Sequence, residues 1–245
     1  MEDAAADLQY KNQSNGESPV YDMSRHVAVD PEKLAANKCV CMDHHSTEIE
    51  YYKILRTQIL HKMKAKGWKT VMVTSALPGE GKTLTAINLA LTFARAFNQT
   101  VLLVDADLKQ QAVHRVLSYE SDLGLIDHLV DDRPVQDLIV WPGIEKLTII
   151  SGGRIIQDSA EFLGSPRMKA LAGQMRERYH DRYILYDMPP VLGRADALAF
   201  SSMVDGVLMV VRACTTSSAD LKAAIDLIPR EKFLGYVLNR LPEKS

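Results

Sequence analysis

The chain has 245 residues and a mass of 27.3 kDa; 47% of its residues are hydrophobic and 24% charged, which excludes a disordered or fibrous chain and allows a sizeable core. Twenty-nine basic residues against thirty-one acidic ones give a net charge of −2, which argues against broad electrostatic capture of nucleic acid, so no nucleic-acid partner is expected. No apolar run approaches the ~18 residues of a membrane span, the start Met1-Glu2-Asp3-Ala4 lacks the basic and apolar regions of a signal peptide, and three cysteines make no disulfide framework, so a cytoplasmic protein is expected.

Residues 1–45 read as a flexible N-terminal arm. Gln9 to Ser24 is rich in Asn, Ser, Gly and Glu without an apolar period, Pro19 lies within it, and Pro31 follows. Cys39-x-Cys41 followed by His44-His45 has the residue types of a metal site, but the spacing matches no standard zinc finger. Residues 46–245 read as one domain. Thr47 with Glu50 three residues later forms a capping-box pattern, Ile49, Tyr52, Leu55, Ile59 and Met63 recur at helical spacing, and Gly67 marks the stop. Lys62, Lys64, Lys66 and Lys69 cluster near that helix's end, where a helix C-terminus favours cations.

Short β-rich blocks follow at Thr70 to Ser75, Val101 to Asp105, Leu147 to Ser151, Tyr183 to Asp187, Gly206 to Arg212 and Leu234 to Asn239. Helical stretches lie between them at Lys82 to Phe97, Arg167 to Arg178 and Ala219 to Ile228. Near-continuous apolar strands alternating with helices imply an α/β fold: one doubly wound, mostly parallel sheet with helices on both faces. Lys82 to Phe97 is apolar almost all round, which predicts a helix buried against that sheet.

Between the first block and that helix stands Ala76-Leu77-Pro78-Gly79-Glu80-Gly81-Lys82-Thr83, with the Walker A spacing of a P-loop NTPase. Glycines let backbone N–H groups converge on phosphate oxygens, and the helix N-terminus adds positive potential. Pro78, Gly79, Glu80, Gly81, Lys82, Thr83 and Leu84 are therefore expected to hold ATP, with the Lys82 ammonium on the β- and γ-phosphates and the Thr83 hydroxyl on Mg²⁺. Such a loop needs acids at neighbouring strand ends. Asp105 and Asp107 follow one apolar block and Asp187 ends another in the Walker B form.

Three motifs in this order resemble the bacterial tyrosine kinases of capsule and exopolysaccharide export: Walker A, then Leu103-Val104-Asp105-Ala106-Asp107-Leu108-Lys109, then Asp187-Met188-Pro189-Pro190. Gly124-Leu125-Ile126-Asp127, Glu161-Phe162-Leu163-Gly164-Ser165 and Val237-Leu238-Asn239 add to the likeness, which spans about Ser46 to Asn239. The resemblance implies an ATP-dependent protein-tyrosine kinase acting in polysaccharide production. Lys82, Asp105 and Asp107 would be catalytic; Thr83, Asp107 and Asp187 would fix Mg²⁺; Asn239 would contact adenine; and Pro189 and Pro190 would shape the loop beside the phosphates. Asp105 is assigned the tyrosine proton, although spacing alone leaves the roles of Asp105 and Asp107 open.

The alternative is a regulatory ATPase of the related MinD/ParA type, switching assembly with a membrane partner without phosphorylating protein. Those relatives carry an extra lysine early in the P-loop, where this chain has Leu77, and an apolar side chain cannot neutralise phosphate. The family likeness also implies a separate membrane-embedded activator of the polysaccharide co-polymerase type, recruitment to the inner face of the membrane, a protein tyrosine substrate and a homo-oligomer. The family's Glu-x-x-Arg-x-x-Arg assembly pattern appears here as Glu50, Lys53 and Arg56, lysine replacing the planar fork of arginine. The last tyrosine is Tyr236, so a C-terminal tyrosine cluster is missing, while Tyr10 and Tyr21 lie in the arm.

Overall fold

Strand β2 (Thr70–Ser75) shows how the sequence builds the sheet. Its side chains alternate, Val71 and Val73 entering one apolar cluster and Met72 the other, and every residue of the strand is buried. The same split runs through β3 (Thr100–Asp105), where Val101 and Leu103 face the layer that holds Val71 while Leu102 and Val104 face the opposite one. A strand buried on both faces has no use for polar residues until its end, and there the acids stand.

The computed structural model describes residues 24–42, 46–97 and 99–241. Tyr10, Tyr21, His44 and His45 lie outside the described residues. In chain order the elements are β1 (Arg25–His26), α1 (Pro31–Ala36), α2 (Glu48–Lys66), β2, α3 (Lys82–Ala94), β3, α4 (Val113–Val116), α5 (Leu125–Asp131), α6 (Val135–Leu138), β4 (Ile139–Trp141), β5 (Leu147–Ile150), α7 (Ser159–Leu163), α8 (Pro166–Glu177), β6 (Arg182–Asp187), α9 (Asp196–Ser201), β7 (Gly206–Arg212), α10 (Ser218–Asp226) and β8 (Phe233–Asn239). The eight strands form one sheet in the order β1-β4-β5-β3-β6-β2-β7-β8, parallel throughout except for the β4–β5 pair. Helices α1 to α4 cover one face and α5 to α10 the other. The expected doubly wound sheet is therefore present, and β2, which feeds the P-loop, lies inside it between β6 and β7.

Two local expectations change. Thr47 precedes α2 but is itself helical (φ −65°, ψ −28°) and makes no side-chain cap; its hydroxyl and that of Ser46 turn to the Glu48 carboxylate instead. The C-terminal stop holds, Gly67 taking φ +65°. The arm boundary moves as well. Residues 24–42 belong to the domain: β1 extends the sheet beside β4, Asp30 caps α1 through Glu32 N at 2.9 Å, and Leu34, Cys39 and Cys41 are buried in the α3 layer. Asn88 of α3 locks this segment, accepting from Cys41 N at 3.1 Å and donating to the Lys38 carbonyl at 3.0 Å. The two cysteines are thus packing groups, and burial pushes their thiols up, to about 11 for Cys39 and about 12 for Cys41.

The assembly pattern on α2 is partly spent within the chain. Glu50 pairs with Lys53 at 2.6 Å, and Arg56 Nη1 donates to the Thr92 carbonyl of α3 at 2.8 Å. The lysine cluster is anchored too: Lys62 donates to the Leu234 carbonyl at 2.6 Å, Lys69 to that of Tyr179 at 3.3 Å, and Lys66 lies over the Trp68 ring. No helix among the described residues is long and apolar enough to cross a membrane.

Candidate active site

The loop between β2 and α3 owes its shape to two glycines and one buried carboxylate. Gly79 and Gly81 hold φ of +77° and +96°, values that side-chain-bearing residues avoid. A Cβ on Gly81 would also lie 2.1 Å from Asn239 Nδ2. Glu80, expected to line the nucleotide, turns inward and is 2% exposed. Its Oε2 accepts from Leu77 N at 2.8 Å, and its Oε1 accepts from Arg212 N at 3.3 Å and from the Thr216 hydroxyl. Glu80 therefore braces the loop against the turn that follows β7. Asn239, expected near adenine, sits over the same loop and donates Nδ2 to the Glu80 carbonyl at 2.9 Å. Pro78 and Gly79 form the exposed apex, and the Leu84 side chain packs partly buried on the core. The amides of Lys82, Thr83 and Leu84 belong to the first turn of α3, whose N–H groups have no partner within the helix.

Opposite this loop the sheet delivers the acids. β3 and β6 are in register with Asp105 beside Asp187, and both carboxyls are fully buried. Lys82 Nζ donates to Asp107 Oδ2 at 2.9 Å and lies 3.7 Å from Asp187 Oδ1. Thr83 Oγ1 donates to Asp187 Oδ2 at 2.6 Å. Lys82, Thr83, Asp107 and Asp187 are thus brought together as the sequence implies.

Asp105, expected to take the tyrosine proton, is bonded to backbone amides. Its Oδ2 accepts from the amides of Ala112 and Val113, each at 3.0 Å, and its Oδ1 from Asp107 N at 3.3 Å. It caps the turn leading into α4, whereas Asp107 carries the bonds to the cations. Sequence reasoning also missed Arg194, on the loop after β6, whose Nη1 lies 3.3 Å from Asp107 Oδ1. Its one signal was its position in the loop that Asp187-Met188-Pro189-Pro190 opens.

Crowding buried acids costs free energy, and the protonation equilibria register it. Burial, then the neighbouring Asp187 charge, raises the Asp105 carboxyl to about 7. Burial likewise raises Asp187, with Lys82 and the Thr83 hydroxyl opposing it. For Lys82 burial alone would lower the ammonium, but Asp187 and Asp107 outweigh it and the net direction is up. The residues fit a magnesium nucleotide by two observations. Asp187 Oδ1 is buried with no hydrogen-bond partner, the Lys82 ammonium facing it at 3.7 Å, and is a hard oxygen suited to Mg²⁺. Gly79 and Gly81, both at positive φ just before the first turn of α3, give the backbone shape a phosphate-binding loop requires.

Known proteins agree with this geometry. The profile of a family described as "AAA domain" matches residues 68–231. The tyrosine-protein kinase YwqD of Bacillus subtilis is 32% identical over 209 residues, 84% of this chain and 87% of the relative. The crystal structure of the chimerical protein CapA2B2 superposes with a TM-score of 0.77 at 26% identity, covering 97% of this chain and all of that one. The kinase domain of Escherichia coli tyrosine kinase ETK superposes with a TM-score of 0.75 at 25% identity, covering 80% of this chain and 77% of that one. The P-loop, the paired strand-end acids and these likenesses together make the chain a member of the bacterial tyrosine-protein kinase family, within the P-loop NTPases.

Proposed function

We propose that this protein transfers the γ-phosphoryl group of MgATP to a protein tyrosine. The observation that carries the reading is the meeting of Lys82 and Thr83 with Asp107 and Asp187 at one end of the sheet. Phosphoryl transfer asks for positioning and charge neutralisation more than for covalent chemistry. The loop amides and Lys82 Nζ would bind the phosphates. Thr83 Oγ1 and Asp187 would hold Mg²⁺, with Asp107 acting through an intervening water and phosphate supplying further oxygens. Bound there, Mg²⁺ supplies charge neutralisation on the β- and γ-phosphates. Asp105, its oxygens given to three amides, keeps the turn in place. Asp107, whose oxygens bond to cations that phosphate also attracts, would receive the phenol proton, since a phenol with pKa near ~10 needs such an acceptor at neutral pH.

The family likeness supports a place in exopolysaccharide or capsule production, at the cytoplasmic side of a membrane, beside a separate membrane-embedded activator and in a homo-oligomer. Among the described tyrosines Tyr51 and Tyr236 are the exposed ones, at 73% and 51%; the acceptor is one of these, an arm tyrosine or a residue of another protein. The test is incubation of the full chain with Mg²⁺, γ-labelled ATP and a tyrosine-containing copolymer. Label on tyrosine, reduced roughly a thousandfold in Lys82→Met, is the expected result. Phosphate release without tyrosine label would replace the kinase by a regulatory ATPase.

A further inference from the structure

We propose that Arg194 is a second cation for the terminal phosphate, supplied by the chain's own loop after β6, and that it sets the site's preference for ATP over ADP. This rests on the nucleotide reading above and adds a residue that the family motifs do not contain.

The loop that carries Arg194 is fixed to the P-loop strand. Val191 N donates to the Ser75 carbonyl at 2.8 Å, Leu192 N to that of Ala76 at 3.2 Å, and the Thr74 hydroxyl to that of Pro189 at 2.7 Å. Gly193 then turns the chain at φ +83°, with open space where a Cβ would stand, so the backbone angle and not crowding calls for glycine. The turn delivers Arg194 to Asp107 Oδ1 at 3.3 Å while Lys82 holds Oδ2 at 2.9 Å. Two cations from opposite walls share one buried carboxylate.

The charge count gives the arrangement its meaning. Asp105, Asp107 and Asp187 are three buried acids, and among the described residues Lys82 and Arg194 are the cations ion-paired with them. A triphosphate adds several more negative charges. Leu77 leaves the P-loop with Lys82 as its one cation, so beyond Mg²⁺ any further side-chain charge on the γ-phosphate has to come from another loop. Arg194 is 23% exposed and bonds one carboxylate oxygen, and its planar fork matches two phosphate oxygens better than one carboxylate oxygen. The loop amides and the start of α3 surround the inner phosphates. Arg194 stands beside Asp107, on the side of the acids, where the outermost phosphate would reach. Its departure does not strand Asp107, which keeps the Gln110 amide at 3.2 Å.

An arginine that merely holds Asp107 in place would matter equally for diphosphate and triphosphate. The test is calorimetric titration of the full chain with Mg²⁺ and either ADP or the non-hydrolysed triphosphate adenylyl-imidodiphosphate, in wild type, Arg194→Gln and Arg194→Lys. The expected result is a loss of triphosphate affinity of roughly tenfold to a hundredfold in Arg194→Gln, a change under twofold for ADP, and partial recovery in Arg194→Lys. Equal losses for the two nucleotides, or no loss, would overturn the role of Arg194 while leaving the nucleotide site intact. Should Arg194→Gln fail to fold, Arg194→Met decides by the same comparison: an unchanged preference for triphosphate in that uncharged variant refutes the proposal. Absence of binding by the wild type would instead remove the nucleotide reading and this inference with it.

Discussion

The mouth of the P-loop and the segment 24–42 both lean on helix α3, and they are built on opposite terms. At the mouth, three buried acids crowd two cations, two glycines hold left-handed backbone, and one carboxylate oxygen has no hydrogen-bond partner. In the docked segment, Leu34, Cys39 and Cys41 fill an apolar layer and Asn88 satisfies the backbone at Cys41 and Lys38. The first region gives up stability to hold charge where a phosphate needs it. The second recovers stability by burial alone. Binding and folding should therefore respond to different substitutions along a single helix.

The largest effect expected at the mouth comes from Gly81→Ala. The new Cβ would meet the Asn239 amide and force an alanine to φ +96°, so MgATP affinity should fall at least roughly a hundredfold while unfolding free energy drops by about 1–2 kcal/mol. The counterpart in the docked segment is Leu34→Ala. Leu34 is fully buried, and truncation should cost about 2–5 kcal/mol in denaturant unfolding, with nucleotide affinity unchanged within twofold. If Leu34→Ala weakened MgATP as strongly as Gly81→Ala, the division between the regions would fail.

Asp105 offers a finer probe. Its carboxyl is held at about 7 in the fold against about 4 in an unfolded chain. Between those values the folded protein keeps a proton that the unfolded chain has lost, so this contribution is fully present below the window and is lost as pH rises through 7. Asp105→Asn retains an oxygen for the Ala112 and Val113 amides, and its melting temperature relative to wild type should therefore improve from pH 5 to pH 8. A parallel profile for the two proteins would mean that Asp105 ionises as freely as it does in an unfolded chain. The smallest effect is chemical: of the three cysteines only Cys214 is exposed, so a thiol reagent at pH 8 should label one site in the native protein and three after unfolding. Rapid labelling of Cys39 or Cys41 would show the docked segment opening.

Much of this was legible from residue order. Five of the six apolar blocks became inner strands, whose burial on both faces leaves a continuous apolar record, and the sixth became the edge strand β8, where Tyr236 and Leu238 are exposed. β1 and β4, two and three residues long, were too short to read as strands. Helix α3 stops at Ala94, before the apolar run ends, and leaves Phe97 91% exposed. The docking of residues 24–42 could not be read because it depends on Asn88, far along the chain. In the site, the P-loop and Asp187 could be read because their spacing is local backbone geometry. The brace from Glu80 to Arg212 and Thr216, and the approach of Arg194 to Asp107, arise where distant loops meet. An acid after a strand looks the same whether it faces cations, as Asp107 does, or caps a turn, as Asp105 does.

The central claim is that the Gly81-Lys82-Thr83 mouth grips a magnesium-bound adenine nucleotide against Asp107 and Asp187. Its most direct test is a titration of the full chain with Mg²⁺ and ADP, followed by calorimetry, beside Lys82→Met. The account requires saturable heat from the wild type at one site per chain and a loss of at least roughly tenfold in affinity for Lys82→Met; a folded wild type that releases no heat, or a variant that binds as tightly, would contradict it.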